Sequence, residues 1–461
     1  MSNILDTVNR LHFVGIGGSG MCPMAEILLN AGYSITGSDC NESDTLDRIK
    51  SYGIKVFNEH NTDNIGNAQL LVYTAAAKQD NPEIVEAKKR GIVVLERSVV
   101  LGLLTDKFKK SVAVSGTHGK TTTTAMITQI MIAANLDPSA IIGGKLPLLG
   151  GNSRVGKSEY IVCEACEYVD TFLQLHPAIS VILNLEADHL DYFKNLDNII
   201  HSFTKFAKQT SEVIIINGDD ENAIKSTENI KNAKIISFGL DKNSIYYATN
   251  IKEGRYACEQ YTFMKCDEKI CDISLKVPGK HNLLNSLAAA ATCHYLGASG
   301  SSIQKALGEF TGVHRRFEIL GDFEGITVAD DFAHHPTELE TTLTAASKMG
   351  YKNVWAIFQP HTFSRTYMFL EEFAKALSIP DHLVMTEILA VREENIYGID
   401  IMDLQNKVSG SCHFKSFEEI ADYVMNNAKS GDLILTLGGG DIYKCANLIV
   451  DLYKRNGEKT L

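Results

Sequence analysis

The chain has 461 residues, 44% hydrophobic and 22% charged, with a formal net charge of −12. That length exceeds what one hydrophobic core organises, so about two to four soluble globular domains are expected. The acidic balance argues against a nucleic-acid surface, which needs clustered Lys and Arg. It leaves room for small anionic ligands held by backbone amides.

No apolar run approaches the ~18 residues of a membrane span. The start, MSNILDTVNRLHFVG, lacks a basic cap followed by an apolar core, so no signal peptide is expected. Ten cysteines scattered over a long chain predict a reduced, cytoplasmic protein. Cys163 and Cys166, in VCEAC, have redox or zinc spacing, but no well-spaced second pair accompanies them.

In chain order, residues 11–106 alternate short apolar runs with helical patterns. LHFVG, SITGS, LLVYT and GIVVLE are predicted strands, separated by segments such as Met21–Ala31 and Pro82–Arg90. That alternation predicts a parallel sheet with crossover helices, a Rossmann-like unit. A second unit starts at KSVAVSG and continues through YIVCEA, AISVILNL, EVIIING and AKIISFG. Residues 245–277 change to polar–apolar alternations, YTFMKC and DISLKV, which predict an antiparallel patch, and the helix HNLLNSLAAAATCHYL follows. TGVHRRFEIL reads as a polar, turn-rich connection, which places a boundary near 313. The remainder repeats the α/β rhythm in GITVADD, NVWAIFQ, HLVMTE, CHFKS and DLILTLG.

Three consecutive α/β domains are therefore predicted. They are a Rossmann-like N-terminal domain over 1–108, a central P-loop ATPase domain over 109–313, and a Rossmann-like C-terminal domain over 314–461. The central domain carries a parallel sheet plus the small antiparallel patch.

GIGGSG satisfies G-x-G-x-x-G at Gly15, Gly17 and Gly20, with Gly18 and Ser19 between them, after an apolar strand and before a helix. Such glycines allow a tight turn and close approach of a diphosphate to the helix N-terminus. Asp39 closes the next strand, about 20 residues on, where an acid can accept from a ribose hydroxyl. The motif alone suggests a nicotinamide dinucleotide and hence an oxidoreductase; the physics supports a ribose and a diphosphate of either owner.

SVAVSGTHGKTTTT, residues 111–124, has the order strand, glycine loop, helix. Gly116 and Gly119 enclose only Thr117 and His118, two fewer spacers than the usual phosphate loop. The parts that do chemistry remain: amides facing oxygen atoms, Lys120 for β/γ-phosphate charge, Thr121 for a Mg²⁺ ligand. Glu164 and His189, at strand ends, are candidate metal ligands, and Glu167 and Asp170 are further acids in the same loop.

Together these residues resemble the Mur ligases, the ATP-dependent amide-forming enzymes of peptidoglycan precursor synthesis. The matching stretches are GIGGSGM, GSD, SGTHGKTTTT, EADHLDYF, GKHNLLNSLAAAA, GVHRRFE, DDFAHHPTE, FQPHTFSRT and GGGDIY, from residue 13 to about 443. The short G-T-H-G-K-T loop is this family's own form. DDFAHHPTE with QPHTFSRT is the most specific part.

The resemblance implies ATP-dependent joining of L-alanine to the lactyl carboxylate of UDP-N-acetylmuramate through an acyl phosphate, with Mg²⁺, or Mn²⁺ in its place. It implies that Gly15, Gly17, Gly18, Ser19, Gly20 and Asp39 hold the uridine diphosphate, with His118 near the sugar nucleotide. Gly116, Thr117, His118, Gly119, Lys120, Thr121 and Thr122 would serve ATP, joined by Asn282, Arg316 and Asp331. Thr121, Glu164 and His189 would hold the metal. His334 would be the base for the alanine ammonium and Arg365 the partner of its carboxylate, beside Lys120 as the phosphoryl-transfer cation. The implied protein is cytoplasmic and bound to neither membrane nor nucleic acid, as monomer or dimer.

Three positions depart from the family pattern: Cys166 replaces an Asp, Phe332 a frequent Tyr, and Thr362 an Arg. The rival inside the family is the recycling ligase that adds a murein tripeptide to the same sugar nucleotide. The rival outside it, an NAD-dependent oxidoreductase, rests on GIGGSG alone.

Overall fold

The computed structural model describes residues 3–391 and 393–458. Three sheets follow one another along the chain. By compactness the chain forms two units. One runs to Thr249 and takes in Thr262–Ile273 and Leu284–Gly308; the other comprises Asn250–Tyr261, Ser274–Leu283 and the chain from Glu309 onward. The first sheet and most of the second thus share a unit.

The first sheet contains β1 (Arg10–Val14), β2 (Ser34–Ser38), β3 (Lys55–Phe57), β4 (Leu70–Tyr73) and β5 (Val93–Glu96), in the order β3-β2-β1-β4-β5. All four pairings are parallel. Helices α1 (Met21–Asn30), α2 (Asp44–Ser51), α3 (Pro82–Lys89) and α4 (Arg97–Thr105) supply the crossovers. Leu11 and Phe13 of β1 pack with Met24, Val100 and Leu104, whereas Val14 packs with Leu71, Ile84 and Ala87. Strand alternation thus buries both faces under helices. Strand order reverses at β1, the switch point where open α/β sheets bind ligands, and the first glycine loop leaves β1 there.

The second sheet begins with β6 (Lys110–Ser115), β7 (Ser139–Leu146), β8 (Gly151–Arg154), β9 (Tyr160–Glu164), β10 (Ile179–Ile182), β11 (Val213–Asn217) and β12 (Lys234–Gly239). These lie in the order β12-β11-β10-β6-β9-β7-β8, parallel except for the β7–β8 hairpin. β13 (Tyr246–Glu253), β14 (Cys258–Lys265) and β15 (Glu268–Pro278) continue it beyond β12, and only Cys266 and Asp267 separate the last two, a hairpin connection. Its helices are α5 (Lys120–Ala133), α6 (Leu190–Phe193), α7 (Leu196–Gln209), α8 (Glu221–Thr227), α9 (Lys280–Tyr295) and α10 (Gly300–Glu309). Every residue of α5 from Thr121 to Met131 is buried, so packing overrides the low helix propensity of its threonines.

The third sheet, β16 (Glu318–Phe323), β17 (Ile326–Asp331), β18 (Val354–Phe358), β19 (His382–Met385), β20 (Cys412–His413) and β21 (Leu433–Leu437), has the order β16-β17-β21-β18-β19-β20. Only β16 runs antiparallel to its neighbour. Helices α11 (Pro336–Ser347), α12 (Phe363–Met368), α13 (Leu370–Ala376), α14 (Ile401–Gln405), α15 (Phe417–Asn427) and α16 (Tyr443–Glu458) cover two separate apolar cores on its faces. Among the described residues, no helix is long and apolar enough to cross a membrane.

The strands read from the sequence are present, and three features were not foreseen. β3 is a three-residue strand, the β7–β8 hairpin ends in the polar GNSR, and β16 occupies the segment read as a connection.

Candidate active site

The phosphate loop leaves β6 at Ser115 and ends at Gly119, the left-handed N-cap of α5 with φ +84°. A Cβ at Gly119 would lie 2.3 Å from Asn285 Oδ1 of α9, so backbone conformation and space both require glycine. The loop rests on the segment after β10. Thr117 N–H donates to Asn184 O (3.0 Å), His118 N–H to Asn184 Oδ1 (2.8 Å), and Glu186 N–H to Thr117 Oγ1 (2.9 Å). Asn184 Nδ2 returns a bond to His118 O at 3.1 Å. With those amides engaged, the first-turn amides of Lys120, Thr121 and Thr122 remain without intrahelical acceptors, which suits an anion.

Lys120 Nζ donates to Gly116 O (2.5 Å), Thr117 O (3.0 Å) and Glu167 Oε1 (3.1 Å). Burial opposes its charge, but the Glu167, Cys166 and Glu164 side chains outweigh that and raise its pKa. Lys120 is therefore a held cation aimed back over its own loop.

Acids and a histidine gather beside it. Glu164 ends β9 and accepts from Gly143 N–H at 2.5 Å. Glu167 is 3% exposed, and His189 Nε2 lies 4.0 Å from its Oε1 and 3.7 Å from Asp188 Oδ2. His189 (φ +52°), Val169 (φ +53°) and Asp170 (φ +57°) all hold left-handed backbone, strained for a β-branched valine above all. Oxygen donors with one imidazole are the set that hard divalent cations of the Mg²⁺ and Mn²⁺ kind accept. The buried Glu167 carboxylate, whose Oε2 lies 3.0 Å from Lys120 Nζ, is one such donor.

A cavity of about 300 Å³ joins Gly18, Ser19 and Gly20 to Gly143, Glu164 and Cys166. The first glycine loop thus opens onto Glu164, one of the acids beside the phosphate loop. Asn152 Nδ2, from β8, donates to Ser19 O at 2.7 Å and orients that loop. Asp39 Oδ2 accepts from Gly17 N–H at 2.9 Å, so the acid expected at a ribose also fastens the glycine loop.

In the second unit, two adjacent aspartates end β17 and point to opposite faces. Asp330 accepts from Arg315 Nε (2.9 Å) and Thr436 Oγ1 (2.6 Å), while Arg315 also donates to Gly438 O and Gly440 O. Arg315 is therefore an anchor. The Arg316 backbone N–H donates to Val313 O (2.9 Å), but its guanidinium makes no hydrogen bond or ion pair among the described residues; its Cζ lies 4.9 Å from the Phe332 ring centroid, with Arg315 Cζ at 5.0 Å. Asp331 accepts from Phe317 N–H and Ala333 N–H, both at 2.7 Å. Burial pushes its carboxyl up to about 6, against the pull of Arg316.

His334 Nδ1 lies 2.9 Å from Phe332 O, which fixes the proton there and leaves Nε2 as the acceptor. Burial, with Arg365 and His361 adding to it, pushes its pKa down to about 3 despite Glu338, so the ring is neutral. Arg365, 8% exposed on α12, has Nη1 3.3 Å from His361 Nδ1, and the His361 and His334 rings are 5.4 Å apart. Thr362, with φ +72°, caps α12 by accepting from Arg365 N–H.

The structure thus groups Lys120, Thr121, Glu164, Glu167 and His189 in one unit, and Arg316, Asp331, His334 and Arg365 in the other. Asn282 is buried in the first turn of α9, where its Nδ2 donates to Pro278 O at 2.8 Å. Sequence reasoning passed over Arg97, which directly follows β5, and Asn184, two residues past the end of β10, although strand ends are where such sheets bind ligands.

Family models match three successive segments: the Mur ligase family, catalytic domain, at residues 10–109, the Mur ligase middle domain at 114–293, and the Mur ligase, glutamate ligase domain, at 315–440. The chain is 44% identical over 448 residues to a UDP-N-acetylmuramate–L-alanine ligase of Acetivibrio thermocellus, covering 96% of this chain and 95% of that protein. Among solved structures, the UDP-N-acetylmuramate–alanine ligase of Thermotoga maritima matches with a TM-score of 0.82 at 29% identity, covering 97% and 99% of the two chains. A murein peptide ligase of Psychrobacter arcticus matches at 0.73 and 25%, covering 96% and 98%.

Proposed function

This chain belongs to the Mur ligase family, and we propose that it joins L-alanine to the lactyl carboxylate of UDP-N-acetylmuramate, converting ATP to ADP and phosphate. The observation that carries this reading is the single cavity connecting the first glycine loop to Glu164, beside the phosphate loop's acids. A diphosphate sugar seated on Gly15–Gly20 would direct its far end toward phosphoryl-transfer machinery, which a nicotinamide oxidoreductase does not need. Alanine as acceptor is supported by the 44% identical relative, and the murein peptide ligase is the more distant of the two structural matches.

A carboxylate is a poor electrophile, so its activation by phosphate supplies the leaving group. The lactyl oxygen attacks the γ-phosphorus of ATP, ADP departs, and the alanine nitrogen attacks the acyl phosphate, which loses phosphate. Lys120 and the amides of Gly119–Thr122 would position the phosphates and take up their charge. Thr121, Glu164 and His189 would hold Mg²⁺ or Mn²⁺, which when bound neutralises phosphate charge. Asn282, Arg316 and Asp331 are assigned to ATP on the family resemblance, and Asp39 and His118 to the sugar nucleotide.

Arg365 offers a planar fork for the alanine carboxylate, and neutral His334 presents Nε2 to its ammonium group. A water-sensitive acyl phosphate makes solvent exclusion a requirement of the site. The proposed setting is the cytoplasm. Lys120→Ala tests the reading: phosphate release should vanish while UDP-N-acetylmuramate still binds, and retained turnover would remove the phosphate loop from the reaction.

A further inference from the structure

Two helices open on the cavity that joins the first glycine loop to Glu164. α1 begins after Gly20, and α4 begins at Arg97. The α4 N-terminus offers first-turn amides without intrahelical acceptors and about half an elementary positive charge, whereas in α1 the Met21 and Cys22 amides donate to Gly18 O (2.9 and 3.0 Å) and Pro23 has none. Among the described residues lining the cavity, Arg97 is the only cation and Glu164 the only carboxylate.

The Arg97 guanidinium lies against the bare face of Gly20, where a Cβ would meet Nη1 at 3.0 Å and Cζ at 3.4 Å. No described residue takes a hydrogen bond or ion pair from it. The nearby Cys163 is no counter-ion, because burial pushes its thiol up to about 12. A half-buried guanidinium with five donors and no protein acceptor is matched by an anionic ligand. The α4 end and the guanidinium together supply about one and a half positive charges, most of what the two negative charges of a diphosphate need.

We propose that Arg97 binds the sugar nucleotide directly, its guanidinium clasping the diphosphate of UDP-N-acetylmuramate against Gly20. The assignment rests on the ligase function proposed above. The diphosphate, rather than the lactyl carboxylate, is the partner because the guanidinium sits on the last glycine of the loop that cradles phosphates.

The test is titration calorimetry of wild type, Arg97→Gln and Arg97→Lys with UDP-N-acetylmuramate, UDP-N-acetylglucosamine and UDP. The last two keep the diphosphate and lack the lactyl carboxylate. Arg97→Gln should weaken all three by about 10- to 100-fold, with Arg97→Lys recovering part, while the KM for ATP stays within about twofold. Equal affinity of Arg97→Gln and wild type overturns the assignment, as does a loss confined to UDP-N-acetylmuramate. Should Arg97→Gln fail to fold, Arg97→Lys decides alone: about threefold or more weakening of all three ligands supports the contact, and unchanged affinity overturns it. A wild type that binds none of the three overturns the ligase function and this assignment together, whereas binding by wild type with no change in the variants overturns only Arg97.

Discussion

Lys120 Nζ lies 3.0 Å from Glu167 Oε2 and 3.1 Å from Oε1, and that carboxylate is 3% exposed. The phosphate loop's cation is therefore set by a buried counter-charge from the loop after β9. Glu167→Gln leaves Lys120 without that partner and should destabilise the protein by about 3–5 kcal/mol. Nucleotide phosphate can replace the lost charge, so the Tm gain on adding MgATP should be larger in the variant than in wild type. Calorimetric melts with and without MgATP check this; identical gains would separate Glu167 from nucleotide binding.

Phe332 stands where a tyrosine is frequent in the family, and the Arg315 and Arg316 Cζ atoms lie over its ring, 5.0 and 4.9 Å from the centroid. The face of the ring, not a hydroxyl, does that holding. Phe332→Tyr should leave stability and KM for ATP nearly unchanged, while Phe332→Leu should cost about 1–2 kcal/mol of stability. The same leucine variant should raise the KM for ATP by releasing Arg316. A tyrosine variant that markedly improves alanine affinity would instead make the hydroxyl the missing element.

The His334 pKa of about 3 has a direction that can be checked. Its folded pKa lies below the ordinary value of 6.5, so the unfolded chain takes up the proton first as pH falls. Its stability contribution is complete above about pH 6.5 and is lost progressively toward pH 3. In the pH–rate profile, His334→Gln should lower the amplitude without moving the acidic limb between pH 5 and 8. A limb that disappears in the variant would show that His334 titrates in the neutral range.

Glu83 is fully buried and accepts from Ser38 Oγ (2.6 Å) and Asn64 Nδ2 (2.7 Å), with His12 Nε2 at 3.6 Å. Burial opposes its ionisation, yet the nearby His12 and the bonds from Ser38 and Asn64 hold its carboxyl down to about 2. A depressed folded pKa gives stability present above the unfolded value of 4.5 and lost between pH 4.5 and 2, about 3 kcal/mol in all. Glu83→Gln should flatten acid unfolding across that window. Denaturant titrations at several pH values read the slope, and an unchanged slope would contradict the network's role.

Much of the architecture was legible because the chemistry sits at the ends of apolar strands. Val112–Val114 and Leu11–Val14 announce buried parallel strands, and the glycines that follow them can serve few purposes other than phosphate approach. The β7–β8 hairpin was not legible, since Gly151–Arg154 carries no apolar alternation and pairs only through long-range register. β16 was hidden by the turn-rich GVHRRFE before it. At the site, the family resemblance marked Arg316, with no physical reason to set it apart from Arg315. The structure does so by giving Arg315 Asp330 and two carbonyl partners. Arg97 escaped notice because its strand-end position is shared by many residues and a lone arginine there forms no motif; the approach of Gly20 and the cavity wall distinguish it.

The most direct measurement is phosphate release from ATP with UDP-N-acetylmuramate present and alanine, glycine, serine or murein tripeptide offered separately. The predicted result is release that requires both the sugar nucleotide and an acceptor, and that is fastest with alanine. Release that requires the tripeptide, or that proceeds at full rate without UDP-N-acetylmuramate, would contradict an alanine-adding ligase.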